Sequence, residues 1–123
     1  MTTDFGRDVL GGRTFLVTGI GGVAALDAPT AELTFGVDGR VHGRATINRV
    51  NGTYRVEDGE LVCGPMASTM MAGDPAAMDQ EHRLLTALAR PSLLRIVEDG
   101  VELVADDGTV VALSEIDGED VIA

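Results

Sequence analysis

This 123-residue chain has no lysine, no tryptophan, a single cysteine and few aromatics, three Phe and one Tyr. Each shortage removes a class of function. With 9 basic residues, all arginine, against 20 acidic ones, the net charge is −11. That balance argues against a surface that tracks phosphate backbones, since nucleic-acid affinity comes largely from cations displacing counterions. So few aromatics offer little stacking surface to a single strand. Cys63 alone forms no intrachain disulfide, so the fold is not tied to an oxidising compartment. No stretch approaches the roughly 18 apolar residues that a membrane helix needs. Residues 1–10 show no basic region followed by an apolar one, and the expected location is cytoplasmic. His42, His82 and Cys63 have no partners at zinc-like spacing, and no acidic run matches a calcium loop, so neither metal nor cofactor is expected. Ser68, Ser92 and Ser114 lack a nucleophile-elbow sequence.

What is present is a globular composition, 45% hydrophobic and 24% charged, of a length suited to one core. The expected organisation is one domain over 1–123, with 1–9 and 115–123 as loose termini. Asp-Gly pairs at Asp38-Gly39, Asp58-Gly59, Asp99-Gly100, Asp107-Gly108 and Asp117-Gly118 mark tight turns, because both residues tolerate positive φ. Around the first four the pattern predicts strands at 32–35, 40–47, 53–57, 60–63, 93–98, 101–105 and 109–113, with an earlier one at 14–18. The fold class is therefore mainly β (α+β), an antiparallel meander of hairpins. One segment has helical period: Asp74-Pro75 is a good start, Arg90-Pro91 a good stop, and 76–89 is the predicted α-helix. Its apolar stripe reads Met78, Leu85 and Leu88, with Ala77, Glu81 and Leu84 close to it.

Two features of this pattern bear on function. From Gly39 to Val56 there are four arginines, Arg40, Arg44, Arg49 and Arg55, and no acid, whereas residues 96–123 hold nine acids and no cation. In strand 40–47, alternation puts Arg40, His42, Arg44 and Thr46 on one face and Val41, Gly43, Ala45 and Ile47 on the other. The cationic face, extended by Arg55, is either a solvated sheet surface or a docking patch. Its partner would be an anionic ligand or the acids Glu115, Asp117, Glu119 and Asp120, within the chain or across a homodimer. Glu81 falls on the helix stripe where an apolar residue is expected. Its carboxylate reaches solvent or a backbone amide, forms a buried pair with Arg49, or serves as a general acid. The segment Gly19-Ile20-Gly21-Gly22-Val23-Ala24 has the form of a dinucleotide-binding turn. Pro29 interrupts the helix such a turn requires, so a glycine loop between antiparallel strands is expected instead.

The run Gly43-Arg44-Ala45-Thr46-Ile47-Asn48-Arg49-Val50-Asn51-Gly52-Thr53-Tyr54 resembles the G-x-A-G-C-N-R-x-x-G-x-Y segment of the META domain (HslJ-like) family. Residues 61–72, LVCGPMASTMMA, are similar to its L-x-x-G-P-L-A-S-T-x-M-A-C. The helix residues Met78, Glu81, Leu85 and Leu88 match M-x-x-E-x-x-x-L-x-x-L. The likeness spans about residues 10–113, with Phe15 where a tryptophan is usual. It implies a small, partly barrel-like antiparallel sheet with one helix, and an association with stress responses, without an established molecular activity. Gly43, Ala45, Gly52, Tyr54, Thr69 and Glu81 become motif residues, read chiefly as packing and turn positions. Asn48 and Arg49 are either structural or ligand-facing. Ile47 and Gly73 stand where the family pattern has cysteines. If those pair in exported relatives, their loss fits a reducing compartment.

The sequence reading is thus a non-catalytic, stress-related module that binds a protein or small anionic ligand, with Asn48, Arg49, Arg40, Arg44 and Arg55 as binding candidates. The alternatives are an enzyme on a small anionic substrate, using Asn48, Arg49 and Glu81, and a structural dimer module. The enzyme reading requires those three side chains to converge in one concavity.

Overall fold

The computed structural model describes residues 9–116. Ten strands and one helix lie wholly within the described residues, in the order β1 (Arg13–Ile20), β2 (Val23–Ala24), β3 (Glu32–Phe35), β4 (Arg40–Arg44), β5 (Arg49–Glu57), β6 (Glu60–Cys63), β7 (Ala67–Ser68), α1 (Pro75–Leu88), β8 (Ser92–Val97), β9 (Gly100–Ala105) and β10 (Val110–Ile116). Eight of them, β1, β3, β4, β5, β6, β8, β9 and β10, close into an antiparallel barrel. The seam is β1 on β10, with Thr14 opposite Ile116 and Ile20 opposite Val111. Short β2 and β7 attach at the sides, to β1 and β5. The barrel-like sheet of the expected fold class is therefore closed all the way round. Its seam joins strands almost a chain length apart, which local periodicity does not register.

Alternation sets which residues fill the interior. Phe15, Val17, Leu33, Phe35, Val41, Val50, Tyr54, Leu61, Val101, Leu103, Val111 and Leu113 are all buried, as expected for an eight-stranded barrel whose lumen is packed with side chains. Phe35 is central, in edge-on contact with Phe15 at 6.0 Å and with Tyr54 at 5.1 Å between ring centroids. The Tyr54 hydroxyl donates to the Gly36 carbonyl at 2.7 Å, giving its polar end a partner. Cys63 packs against this core, and burial pushes its thiol up to about 11.

Three of the four described Asp-Gly pairs turn as the sequence signals, with positive φ at Gly39, Gly59 and Gly108. At Asp99-Gly100 neither residue takes positive φ, and Gly100, opposite Val97, already belongs to β9, so the turn is Glu98-Asp99. Asp58 and Gly59 both take positive φ, 53° and 81°, in the two-residue connection from β5 to β6. Gly21 and Gly22, at 60° and 84°, do the same between β1 and β2. The glycine loop is thus a hairpin turn with no helix after it. Asp117-Gly118 lies outside the described residues.

The helix runs one residue earlier than predicted, capped by Asp74, whose carboxylate accepts from the Ala77 amide at 2.9 Å. Its buried face is also turned from the predicted one: Ala77, Gln80, Glu81, Leu84, Ala87 and Leu88 are buried, while Met78 is exposed and Leu85 only half-buried. Two polar residues set this phase. Gln80 accepts from the Leu26 amide at 2.8 Å and donates to the Thr46 hydroxyl at 3.0 Å, and Glu81 bonds to the turn after β4. A reading that seeks an apolar stripe discounts both. Together with Arg83, which donates to the Ile20 carbonyl at 3.2 Å, they lay α1 across the barrel end where β1 and β4 finish.

Candidate functional site

The motif residues meet at that barrel end. β4 stops at Arg44, not at residue 47, because the next peptides turn to face the helix. Thr46 is therefore buried and does not join the outward cationic row. The amides of Ile47 and Asn48 both donate to Glu81 Oε1 at 2.8 Å, and Asn48 Nδ2 donates to Oε2 at 2.7 Å. Asn48 Oδ1 in turn accepts from Thr69 Oγ1 at 2.9 Å and from the Met71 amide at 2.6 Å, while Nδ2 also donates to the Met71 carbonyl at 3.1 Å. Thr69 Oγ1 accepts from the Arg49 amide at 3.0 Å. Burial raises the Glu81 pKa, but the hydrogen bonds from Asn48 and Ile47 outweigh it and hold the carboxyl below its ordinary value of 4.5. Of the roles open to Glu81 in the sequence, the geometry is acceptance from backbone amides; Arg49 is not its partner.

Asn48, Thr69 and Glu81 thus form one staple joining the β4–β5 turn, the segment after β7 and the helix. Among the described residues no buried side-chain polar atom lacks a partner. Gly52 completes the packing beneath: a Cβ there would lie 2.8 Å from the Pro65 carbonyl oxygen. Gly43 is similarly constrained, since a Cβ would collide with the Glu32 carbonyl, and Ala45 is fully buried.

Positions 47 and 73 are neighbours across this staple. A Cβ on Gly73 would run into Ile47 Cδ1 and lie 3.0 Å from Cγ1. Since Cγ1 is bonded to Cβ, the two Cβ positions are about 4 Å apart, within the range that a disulfide spans. Ile47→Cys with Gly73→Cys is expected to oxidise to an intramolecular bridge. Closing a loop of 26 residues, 73 minus 47, is worth about 3.5 kcal/mol in the chain-entropy model. The check is a higher melting temperature in oxidant that dithiothreitol reverses. A double variant that stays reduced under air and copper would refute the proximity.

The sequence pair Asn48–Arg49 splits at the barrel wall. Asn48 turns inward to the staple and is buried, whereas Arg49 is exposed on the outer face of β5. There it lies directly opposite Arg44, with His42 opposite Asn51 in the next outward row. The Ala45 amide donates to the Asn48 carbonyl at 2.8 Å and that of Tyr54 to the Gly39 carbonyl at 2.9 Å. By alternation, Arg44–Arg49 and His42–Asn51 are then non-hydrogen-bonded pairs, the kind whose side chains stand closest. Thr30, Glu32, Thr34, His42, Arg44 and Arg49 border an open hollow of about 560 Å³ on this face.

The described arginines sort into two groups. Arg13, Arg55, Arg83, Arg90 and Arg95 pair with Glu115, Glu57, Asp79, Asp106 with Asp107, and Glu102. Arg40, Arg44 and Arg49 have no ion pair among the described residues. Arg55, expected to extend the cationic face, is exposed on β5 in phase with Arg49 and Asn51, where Glu57 pairs with it at 3.1 Å. Glu115, expected as a partner of that face, is taken by Arg13 at 3.6 Å, and Asp117, Glu119 and Asp120 lie outside the described residues. The Arg44–Arg49 juxtaposition was missed in sequence because it depends on the turn length, which Glu81 sets.

Among the described residues no helix is long and apolar enough to cross a membrane, and no cluster of His, Cys, Asp and Glu has a metal-holding arrangement. The META domain family model matches residues 8–118. A search of curated proteins finds no match. The fold is similar to that of a protein from Burkholderia xenovorans solved by NMR, with a TM-score of 0.75 at 20% identity over 91% of this chain and 87% of that one. It is also similar to a DUF4847 family protein from Bacteroides vulgatus, with a TM-score of 0.64 at 13% identity over 88% and 95%. At these identities the likeness is one of fold.

Proposed function

The chain belongs to the META domain family, and from that premise we propose that it is a non-catalytic, stress-related binding module whose outer β3–β5 face holds an anionic partner. One observation carries the reading. Arg44 and Arg49 face each other across β4 and β5 without an ion pair among the described residues, and like charges directly opposite in a sheet are destabilising. An anion between them converts that repulsion into two charge-assisted contacts. The enzymatic alternative loses support from the same geometry: Asn48 and Glu81 do meet, but spend their hydrogen bonds on the turn, and Arg49 lies on the other side of the wall.

The test compares the parent chain with Arg44→Glu plus Arg49→Glu, titrated with inorganic phosphate and with an Asp/Glu-rich peptide. The double variant is expected to bind at least tenfold more weakly. Parent affinity should fall between 0.1 M and 1 M salt, as the Debye length shrinks from about 10 Å to about 3 Å. Without ligand, Arg49→Gln should melt no lower than the parent, because it removes a repulsion and no partner. An anion bound equally by parent and double variant overturns the reading.

A further inference from the structure

The hollow is not uniformly cationic. Arg44 stands between Arg49 on β5 and Glu32 on β3, giving one outward row of acid, base and base. The adjacent row is Thr34, His42 and Asn51. Glu32 and Arg44 are in register, yet no ion pair closes between them among the described residues. One end of the hollow therefore offers two guanidinium forks and the other a carboxylate with hydroxyl neighbours, Thr30 and Thr34. Strands are about 4.8 Å apart, so the row from Glu32 to Arg49 spans roughly 10 Å at the backbone. From midway between Arg44 and Arg49 to Glu32 is one and a half strand spacings, roughly 7 Å at the backbone.

Resting on the reading that this face takes an anion, we infer that its ligand is a small phosphomonoester bearing an ammonium or hydroxyl group two or three atoms from the phosphoryl group. A phosphoryl dianion presents three terminal oxygens and two negative charges, enough to engage both forks at once. A lone carboxylate fills one fork and leaves the second guanidinium uncompensated. The donor at the ligand's other end meets Glu32, a group that repels a pure polyanion. A net charge of −11 adds to that selection against nucleic acid and polyphosphate chains.

The experiment titrates the full chain with O-phosphoethanolamine and with inorganic phosphate, read by calorimetry and by the arginine Nε–Hε resonances of Arg44 and Arg49. O-Phosphoethanolamine should bind at least fivefold more tightly than phosphate. Glu32→Gln should bring the two within twofold, and Arg44→Gln with Arg49→Gln should weaken both at least tenfold while the rest of the amide spectrum stays unchanged. Equal affinity for the two probes in the parent overturns the phosphomonoester assignment and leaves the anion-binding face standing. So does an acidic peptide that shifts the same arginines more strongly than either probe. Vesicles of phosphatidylethanolamine and phosphatidylglycerol form a further arm: binding to them in place of the soluble ester overturns the assignment in favour of a lipid phosphodiester. If none of these probes moves the arginine resonances, the anion-binding reading itself falls.

Discussion

Replacing Glu81 with alanine is expected to cost about 3–6 kcal/mol, because two buried donors and one part-buried donor lose their acceptor together. The Ile47 and Asn48 amides and the Asn48 carboxamide all point at this one carboxylate, and each buried donor left unsatisfied costs about 1–3 kcal/mol. Against the 5–15 kcal/mol total stability typical of a domain, that is a large share. Glu81→Gln should be milder, retaining one acceptor oxygen while setting its amide against the Asn48 amide. The pH dependence has a definite sign. The folded-state pKa lies below the ordinary 4.5, so the carboxylate's contribution is fully present above that value and is lost as pH falls through the lowered one. Urea melts of the parent and of Glu81→Gln at intervals from pH 6 to pH 2 should show a stability gap that narrows only at the acid end. A gap that is constant with pH would mean that the ionised form is not what the turn binds.

Leu84→Ala should destabilise by about 3–4 kcal/mol, in the range for fully buried leucines, and Leu85→Ala by less than half as much. Leu84 is wholly enclosed and Leu85 only partly. The contrast is informative because adjacent helix positions differ by 100° of rotation, and the apolar pattern alone favours Leu85. Equal losses for the two, measured by chemical denaturation, would contradict the helix phase set by Gln80 and Glu81.

That phase marks where the sequence stops being readable. Hairpins announce themselves through local chemistry: Asp58-Gly59 must turn, and the residues beside it alternate. The start of the helix is equally local, in Asp74 and Pro75. The end of β4 is not, for nothing in Arg44-Ala45-Thr46-Ile47 says that a glutamate some 34 residues on will draw two successive amides out of the ladder. The resemblance pointed to Asn48, Thr69 and Glu81 as motif positions, but their connection is a set of hydrogen bonds that spacing does not encode. The candidate site suffers most. Arg44 and Arg49 look like two cations in a basic stretch, and only the short turn between them makes them a facing pair.

The seam between β1 and β10 has a kinetic side. Every other barrel contact except that of β6 with β8 joins strands close in sequence, so hairpins can form early at low entropic cost. The seam cannot: Thr18 donates to the Ala112 carbonyl 94 residues away, and the strand carrying that carbonyl is synthesised last. Until it leaves the ribosome, β1 presents an unpaired edge lined with Leu16 and Thr18, the exposure that invites pairing with another chain. Ring closure, rather than hairpin formation, is then the expected slow step, and a nascent chain halted before residue 110 is expected to aggregate more readily than the full chain.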